Sequence, residues 1–435
     1  MNSYQCQPVS GQVDATVTLP GSKSITNRAL IAAALADGHS LLTGVLLAED
    51  TRLMVDALRA LGIAIAIDEN DCVAEVTGCR GHVPAVEAGL FCGNAGTVMR
   101  FCTALVALGH GRFQLDGVER MRRRPIGGLV KVLQALGSGV EYLGEEGYPP
   151  LVVRAKGLGG GHVSFESPES SQLVSALLLA APYAHADVLI EVPGALPSVP
   201  YLKLTTQVMD RFGVAVLEQY DAASTKFIVE APQRYQGTTL AIEPDASNAS
   251  YFLAAPAVAG GRVTVERLGT ESIQGDARFV DVLERMGCRI ERRPAQTTVW
   301  GPVAGERLRG LDVDLNDMPD TVQTLAVLAL FADGPTVIRN VANLRVKETD
   351  RLASLNLELT KLGARVEERA DGLRIHPPER ITPAVIDTYN DHRMAMSFAL
   401  VGLRSPGIVI RNPECCGKTF PDFFERFERL ATERL

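Results

Sequence analysis

The stretch LVKVLQALGSGVEYL, residues 129–143, decides the fold because it recurs in the same form along the chain. Apolar residues at helical spacing lead to a glycine, and a short strand pattern follows. The copies, spaced by about 75 residues, are MVDALRALGIAIAI (54–67), TTQVMDRFGVAVLE (205–218), FVDVLERMGCRIERR (279–293) and NLELTKLGARVEER (356–369). FPDFFERFERLATERL (420–435) resembles a sixth such helix, cut short. A repeat of this length indicates one supersecondary unit copied several times.

A second type of helix recurs with the same period and is apolar on nearly all sides. Its copies are SKSITNRALIAAALA (22–36), NAGTVMRFCTALVAL (94–108), SSQLVSALLLAAP (170–182), DASNASYFLAAPAVA (245–259), PDTVQTLAVLALF (319–331) and NDHRMAMSFALVGL (390–403). Strand patterns such as DVLIEV (187–192) fill the gaps between the helices. Each unit therefore reads βαβαββ, with one buried and one amphipathic helix, and we expect sheets to wrap around inner helices.

Six units in 435 residues are too many for a single core and divide naturally into two domains of three. The sixth unit lacks its last strands, whereas SYQCQPV (3–9) is a spare strand at the other end of the chain. We therefore predict one domain at 22–242 and a second formed by 1–21 together with 243–435. The chain would cross twice between the domains, and we predict the active site in a hinged cleft between them.

Composition excludes several classes of protein. The formal net charge of −8 argues against a nucleic-acid or anionic-membrane partner. The N-terminus lacks the features of a signal peptide, and the apolar runs are too short to span a bilayer, so we expect a cytoplasmic protein. The eight cysteines form no CxxC pair and have no histidine at metal-ligand spacing, so they are interpreted as reduced thiols, with no metal and no cofactor.

Six cations stand at predicted helix starts, where free N–H groups and the macrodipole disfavour positive charge. They are Lys23, Arg124, Lys347, Arg351, Arg393 and Lys418. Choices that are locally unfavourable tend to mark function, and helix N-termini are ready-made anion sites. The pattern therefore predicts that these residues bind an anionic substrate, rather than forming an ordinary solvated surface.

Other polar residues at helix starts are interpreted as ordinary caps, because short hydroxyl and carboxyl side chains accept hydrogen bonds from the free N–H groups. Thr51, Ser247 and Asp276 belong to this class. Asp350 is expected either to cap its helix or to orient the neighbouring cations.

Eight segments together resemble one known family over essentially the whole chain. They are LPGSKSITNRAL (19–30), GNAGTVMR (93–100), RRPIGGLV (123–130), SSQLVSALL (170–178), PDASNASYFLAA (244–255), RVKETDRL (345–352), YNDHRMAMSFAL (389–400) and KTFPDFF (418–424). Through these segments the chain resembles the EPSP synthase (3-phosphoshikimate 1-carboxyvinyltransferase) family, whose members are enolpyruvyl transferases. The resemblance implies a two-domain inside-out α/β barrel of six βαβαββ units.

The resemblance also implies the reaction. Members of the family transfer the enolpyruvyl group of phosphoenolpyruvate to the 5-hydroxyl of shikimate 3-phosphate and release phosphate. This addition–elimination through a tetrahedral intermediate is the sixth step of the shikimate pathway toward aromatic amino acids. The family works without a cofactor, is monomeric by default, and is the target of glyphosate.

Matched residue by residue, the resemblance implies one set of binding residues for each of the two substrates. Phosphoenolpyruvate would contact Lys23, Gly96, Arg124, Gln172, Arg351, Arg393 and Lys418. Shikimate 3-phosphate would contact Lys23, Ser24, Arg28, Ser170, Ser171, Gln172, Ser198, Tyr201, Asp320, Asn343 and Lys347. Both substrates carry a phosphate and a carboxylate, which accounts for the many cations.

Three residues are expected to move protons. Asp320 suits the base at the 5-hydroxyl, and Glu348 suits the group that gives and retakes the methylene proton. Lys23 is a candidate acid toward the bridging oxygen or the hydroxyl. The assignment of each proton among the three stays open, because surrounding cations set each pKa.

Two positions depart from the family's pattern. Arg123 stands where an acidic residue is common, and Phe101 stands where proline is common. Gly96 is the small residue expected of a glyphosate-sensitive site, whereas Phe101 would tilt the helix that begins there. The sequence leaves the sensitivity open.

Two other functions predict different residues. UDP-N-acetylglucosamine enolpyruvyltransferase shares the fold and the donor, but it would carry a catalytic-loop cysteine in the region of RRRPIGG (122–128) and would lack the SSQ segment. A non-catalytic repeat protein that binds anions would have no need of Lys23, Asp320, Glu348 and Lys418 together.

Overall fold

The computed structural model describes residues 2–194, 196, 198–221, 223–303 and 305–432. The chain divides into two compact units. The continuous unit is Gly21–Ile242, and the split unit is Met1–Pro20 together with Glu243–Leu435. No helix in the described ranges is both long enough and apolar enough to cross a membrane.

The described residues form twelve α-helices. They are α1 (Lys23–Leu35), α2 (Glu49–Ala60), α3 (Gly96–Ala107), α4 (Gly127–Ala135), α5 (Ser171–Ala180), α6 (Val199–Arg211), α7 (Ala246–Ala259), α8 (Phe279–Arg285), α9 (Val322–Leu328), α10 (Arg351–Lys361), α11 (His392–Gly402) and α12 (Phe423–Thr432).

Short strands separate the helices. They are β1 (Ser3–Gln5), β2 (Val13–Val17), β3 (His39–Thr43), β4 (Ala64–Asp68), β5 (Val73–Thr77), β6 (Glu87–Phe91), β7 (His110–Asp116), β8 (Gly139–Tyr142), β9 (Leu151–Lys156), β10 (Gly161–Ser164), β11 (Val188–Pro193), β12 (Leu217–Tyr220), β13 (Ser224–Val229), β14 (Thr239–Ala241), β15 (Gly261–Glu266), β16 (Arg289–Arg293), β17 (Gln296–Trp300), β18 (Asp312–Asp314), β19 (Thr336–Arg339), β20 (Arg365–Arg369), β21 (Gly372–His376), β22 (Val385–Ile386) and β23 (Val409–Arg411).

Five of the six small sheets repeat one design, in which a parallel pair is extended by an antiparallel hairpin, and in the sixth a parallel pair is extended by the single antiparallel strand β1. In the continuous unit the orders are β14-β3-β5-β4, β6-β7-β9-β8 and β10-β11-β13-β12. In the split unit they are β2-β15-β17-β16, β18-β19-β21-β20 and the three-stranded β1-β23-β22. The βαβαββ prediction is thereby confirmed as a mixed α/β fold of repeated units.

Strands near the two unit boundaries pair with sheets distant in sequence. β2 precedes α1 in the chain but pairs in parallel with β15 of the split unit, with Val13 opposite Gly261. β14 precedes α7 but pairs in parallel with β3 of the continuous unit, with Thr239 opposite Leu41. β1 pairs antiparallel with β23, so that residues near the N-terminus complete the last sheet.

The two helix types differ in burial as their sequences predict. All twelve residues of α3 are buried, and so are all eleven of α11, whereas α2 and α10 bury one face only. Five glycines end amphipathic helices in the left-handed conformation that favours glycine there. These are Gly62, Gly137, Gly213, Gly287 and Gly363, with φ between 81° and 109°. Burial of the apolar helices drives the fold, and the glycines set where each neighbouring helix stops.

Candidate active site

Arg351 is the centre of a buried ionic cluster in the split unit. Its side chain is 1% exposed. Its Nε donates to Asp391 Oδ2 at 2.8 Å, and its Nη2 donates to Glu348 Oε2 at 2.9 Å. Its Nη1 donates to Asp320 Oδ1 at 3.1 Å. Burial lowers the pKa of the guanidinium, but the three carboxylates outweigh burial and raise that pKa above its ordinary value.

Asp320 joins this arginine to two further predicted cations. Its Oδ2 accepts from Arg393 Nη2 at 2.8 Å, and Lys347 Nζ lies 4.0 Å from its Oδ1. The second guanidinium nitrogen of Arg393 donates to the Tyr251 hydroxyl at 3.3 Å. A single carboxylate therefore lies among three positive charges, all on elements of one unit.

Glu348 occupies a similar place on the other side of Arg351. Lys418 Nζ lies 3.9 Å from Glu348 Oε1, and both residues are buried. Asn343 lies in the short 3₁₀ turn Ala342–Val346 that leads into Lys347, where it is half-buried. All seven predicted site residues of the split unit thus lie on the segments that form this cluster.

Helix caps explain how arginines are tolerated at helix starts. Arg351 is the first residue of α10, and the side chain of Asp350 caps that helix by accepting from Ala353 N at 3.1 Å. Asp391 caps α11 by accepting from Arg393 N at 2.9 Å while it also binds Arg351. The capping prediction for Asp350 is confirmed. The expected repulsion is offset here by carboxylates of the protein itself, since each cap adds negative charge at the positive end of a helix.

Asp276 is a buried carboxyl next to this cluster. The cap interpretation of Ser247 is wrong, because Asp245 caps α7 and accepts from Asn248 N at 2.9 Å. That of Asp276 is wrong as well, because the N-cap position of α8 is Arg278 and carries no side-chain cap bond. The Ser247 hydroxyl donates to Asp276 instead. Burial and the nearby negative charge of Asp320 raise the pKa of Asp276 to about 7. Thr51 contributes to capping, but from the third helical position: the N-cap of α2 is Ala48, and its N–H donates to Thr51 Oγ1 at 3.1 Å.

In the continuous unit, the predicted residues gather at Gly96, the first residue of α3. A Cβ placed there would lie 2.7 Å from Arg124 Nη2, 2.7 Å from Arg100 Nη1 and 2.9 Å from Gln172 Oε1. Arg100 Nη1 donates to Gln172 Oε1 at 3.3 Å, and Arg124 Nη1 donates to the Asn94 carbonyl oxygen at 2.8 Å. Only glycine leaves space for these groups to meet.

The N-terminal turns of three buried helices meet at this place. Asn27 Nδ2 of α1 donates to Thr97 Oγ1 of α3 at 2.7 Å. Lys23 opens α1, and its Nζ lies 3.2 Å from Asp50 Oδ2. Gln172 is the second residue of α5, and its N–H donates to the Ser170 side chain at 3.3 Å. Positive helix ends and cations are therefore concentrated within one unit, as an anion site requires.

Arg28, predicted to bind substrate, is 1% exposed and bonded to protein groups. Its Nε donates to Thr205 Oγ1 at 2.8 Å, and its Nη1 donates to the Ser24 carbonyl oxygen at 2.9 Å. Its Nη2 donates to the Tyr201 carbonyl oxygen at 3.2 Å, and its guanidinium carbon lies 5.3 Å from the centre of the Phe101 ring. Burial lowers the pKa of the guanidinium to about 10. In this structure Arg28 ties α1 to α6 and positions two predicted binding residues.

The remaining predicted residues lie at the starts of α5 and α6. Ser170 caps α5, and Ser171 is its first, buried residue. Ser198 precedes α6 in a left-handed conformation with φ of 58°, and its carbonyl oxygen accepts from Tyr201 N at 3.0 Å.

Sequence reasoning missed four partners of the predicted residues. They are Asp50, Asn94, Arg100 and Asp391, which contact Lys23, Arg124, Gln172 and Arg351 respectively. Asn94, Arg100 and Asp391 stand inside the quoted motifs, and that position was the signal available in the sequence. Nothing local to Asp50 indicates its partner. Over the described ranges, no group of three or more His, Cys, Asp or Glu side chains is placed to hold a metal ion.

Comparisons with known proteins agree with one another. The sequence model of the family described as EPSP synthase (3-phosphoshikimate 1-carboxyvinyltransferase) matches residues 8–427. A 3-phosphoshikimate 1-carboxyvinyltransferase of Nostoc sp. is 49% identical over 430 residues, which cover 99% of this chain and 100% of the relative. One from Marinomonas sp. is 45% identical over 432 residues, with coverages of 99% and 100%.

Solved structures show the same relationship. The EPSP synthase from Acinetobacter baumannii matches with a TM-score of 0.81 and 26% identity, covering 99% of this chain and 98% of that one. The enolpyruvyl transferase NikO from Streptomyces tendae shares the fold, with a TM-score of 0.76 at 19% identity and coverages of 98% and 97%. The motif-based resemblance is confirmed, and the chain belongs to the EPSP synthase (3-phosphoshikimate 1-carboxyvinyltransferase) family.

Proposed function

We propose that this chain transfers the enolpyruvyl group of phosphoenolpyruvate to the 5-hydroxyl of shikimate 3-phosphate, releasing inorganic phosphate. The observation that carries the proposal is the alternation of charge around Arg351, where Asp320 and Glu348 each lie among cations. A passive anion trap needs cations alone. Two carboxylates held at fixed places among those cations suit proton transfer next to bound anions.

The two units would contribute differently to the substrates. In the continuous unit, Ser170, Ser171, Gln172, Ser198 and Tyr201 offer neutral hydrogen-bonding groups suited to a hydroxylated ring and its phosphate. The missing side chain of Gly96 lets the Arg124 and Arg100 guanidinium groups lie against the start of α3, where they would suit the phosphate and carboxylate of phosphoenolpyruvate. Lys23 would serve both substrates.

In the split unit, Arg351, Arg393 and Lys418 would hold phosphoenolpyruvate, while Asn343 and Lys347 would hold shikimate 3-phosphate. The two substrates are multiply negative and would offset the charge of these cations. Positioning two reactants in this way supplies a large part of catalysis.

Proton transfer would use the three predicted groups. Asp320 would take the proton of the 5-hydroxyl as the oxygen attacks C2 of phosphoenolpyruvate. Glu348 would deliver a proton to the methylene carbon and retake it as phosphate leaves. Lys23, 3.2 Å from Asp50, would act on the bridging oxygen. The salt bridges of Asp320 and Glu348 orient both carboxylates before the substrates bind.

Further properties follow from family membership. We propose a monomeric enzyme of the cytoplasm, where its eight free cysteines would remain reduced. We also propose that glyphosate competes with phosphoenolpyruvate at Gly96. Phe101 packs against Arg28 and would modulate that competition through α3. An inhibition constant compared between the wild-type chain and Phe101→Pro tests this point.

The deciding experiment follows inorganic phosphate after the chain is mixed with both substrates or with either one alone. Phosphate should appear only when both are present. Asp320→Ala should lower kcat by about 100-fold or more, because removing a general base typically costs that much. Asp317→Ala, a nearby change outside the cluster, serves as the matched control and should retain turnover. Phosphate release from phosphoenolpyruvate alone, or full activity in Asp320→Ala, would refute the proposal.

A further inference from the structure

Glu358 is a carboxylate enclosed in the split unit that the proposed chemistry does not use. It lies on α10, and its side chain is 0% exposed. Lys361 Nζ lies 2.9 Å from its Oε1 and 2.7 Å from its Oε2. A buried charge is tolerated only when its remaining hydrogen-bonding positions are also filled.

The other partners of Glu358 come from the segment just before α11. The Tyr389 hydroxyl donates to Oε1 at 2.6 Å, and the Asp387 N–H donates to Oε2 at 3.0 Å. Lys361 Nζ also contacts Asp387 Oδ2 at 2.7 Å. One carboxylate therefore holds this segment by both its backbone and a side chain.

The held segment has an unusual backbone. Tyr389 and Asn390 are consecutive non-glycine residues with φ of 54° and 56°. Side chains disfavour this left-handed region, and such residues persist only where surrounding contacts impose them. Asn390 Oδ1 additionally accepts from Asn412 Nδ2 at 3.2 Å. Asp391, which caps α11 and binds Arg351, follows this turn directly.

Two side chains of helix α10 contact the segment 387–391. Arg351 and Glu358 are seven residues apart, which is nearly two turns, so both side chains lie on the same face. We propose that Glu358 and Tyr389 are positioning residues: they hold the left-handed turn at 389–390 so that Asp391 keeps Arg351 and Arg393 in place around Asp320. Only the kinetic consequence of this inference, a change in kcat/KM, rests on the proposed function.

The first test removes one hydroxyl. Tyr389→Phe keeps the ring, which is partly exposed, and should lower kcat/KM by about tenfold, the typical effect of losing one hydrogen bond to a charged group. Tyr220→Phe is the matched control. The Tyr220 hydroxyl likewise donates to a carboxylate, that of Glu218, but it lies on β12 of the continuous unit. This control should stay within about twofold of the wild type.

The second test is a rescue. Glycine adopts positive φ without steric cost, so a turn containing glycine needs less help from Glu358. Adding Asn390→Gly to Tyr389→Phe should therefore recover most of the lost kcat/KM. A purely structural role of the hydroxyl predicts no recovery, since glycine adds only flexibility to the unfolded chain.

Hydrogen exchange makes the test independent of catalysis. The Arg393 N–H donates to Asp391 Oδ1 at 2.9 Å, so its exchange reports on the turn. Tyr389→Phe should accelerate exchange at Arg393 while leaving the amides of β17 unchanged. Uniform acceleration across the split unit with unchanged kcat/KM, or no change at Arg393, would overturn the inference. If the wild-type chain released no phosphate, only the proposed function would be refuted. Hydrogen exchange at Arg393 would then test by itself whether Glu358 and Tyr389 hold the turn.

Discussion

Replacing Arg351 by lysine tests how far the buried cluster depends on a guanidinium. The guanidinium donates to three carboxylates at once, those of Asp391, Glu348 and Asp320, at 2.8 to 3.1 Å. A lysine ammonium is a single point charge and cannot reproduce this planar fork. Arg351→Lys should therefore leave at least one buried carboxylate without its partner, and Asp391 is 0% exposed.

The expected magnitude follows from that burial. Breaking a buried ion pair by removing one partner typically costs about 3–5 kcal/mol, so we expect the free energy of unfolding to fall by about 3 kcal/mol. Arg262→Lys is the control, since Arg262 pairs with Asp14 at 2.6 Å while both side chains are 46% or more exposed. An exposed pair of this kind contributes at most about 1 kcal/mol.

Urea unfolding followed by tryptophan fluorescence provides the assay. The chain has one tryptophan, Trp300, which lies on β17 of the split unit and so reports on the unit that contains Arg351. kcat/KM for phosphate release should fall by at least about 100-fold in Arg351→Lys, because charge-assisted hydrogen bonds are lost. Equal small losses of stability in Arg351→Lys and Arg262→Lys would refute the reasoning that the cluster is a buried network.

Two further predictions concern single sites. The raised pKa of Asp276, about 7, means that the folded state holds a proton that the unfolded state releases near pH 4, so wild-type stability should decline as pH rises from about 4 to 7. Asp276→Asn should remove that decline. Relative to the wild type, its free energy of unfolding should therefore increase by up to about 4 kcal/mol between pH 4 and pH 8, measured by Trp300 fluorescence in urea. Parallel pH curves for the two chains would contradict this prediction. Gly96→Ala places a methyl group 2.7 Å from guanidinium nitrogens of Arg124 and Arg100, so these flexible side chains must shift. The KM for phosphoenolpyruvate should therefore rise about tenfold or more, while the KM for shikimate 3-phosphate should change little. Gly89→Ala, where a Cβ meets nothing within 4 Å, is its control, and an unchanged KM in Gly96→Ala would show that the space at Gly96 is not used.

The fold was largely predictable because its two signals are local. A glycine at the end of an amphipathic helix has a positive φ in all five copies, and the all-apolar helices are buried wherever they recur. Pairings between distant strands were harder to predict. The predicted boundaries already assigned β2 to the split domain and β14 to the continuous one. Their partners, β15 and β3, depend on which sheet edge each strand reaches, and strand composition does not encode that choice.

The candidate site was predictable in its cations but not in their partners. A lysine or arginine at a helix start is visible in the sequence, because it breaks a local preference. Asp391 looked like any residue before a helix, yet it is both a cap and the closest carboxylate to Arg351 Nε, 40 residues away. Asp276 looked like a cap and is instead a buried acid beside Asp320. Such roles arise only when the fold brings residues that are distant in sequence together, and no local sequence pattern predicts them.

Whether Glu348 moves a proton to and from the methylene carbon is decided by running the reaction in D₂O and following that carbon by proton NMR. Addition–elimination passes through a methyl group, so the wild-type chain should place deuterium in the vinyl methylene of the product. Glu348→Gln should form product and incorporate deuterium about 100-fold more slowly or worse. Product that forms without deuterium, or wild-type rates in Glu348→Gln, would contradict the mechanism.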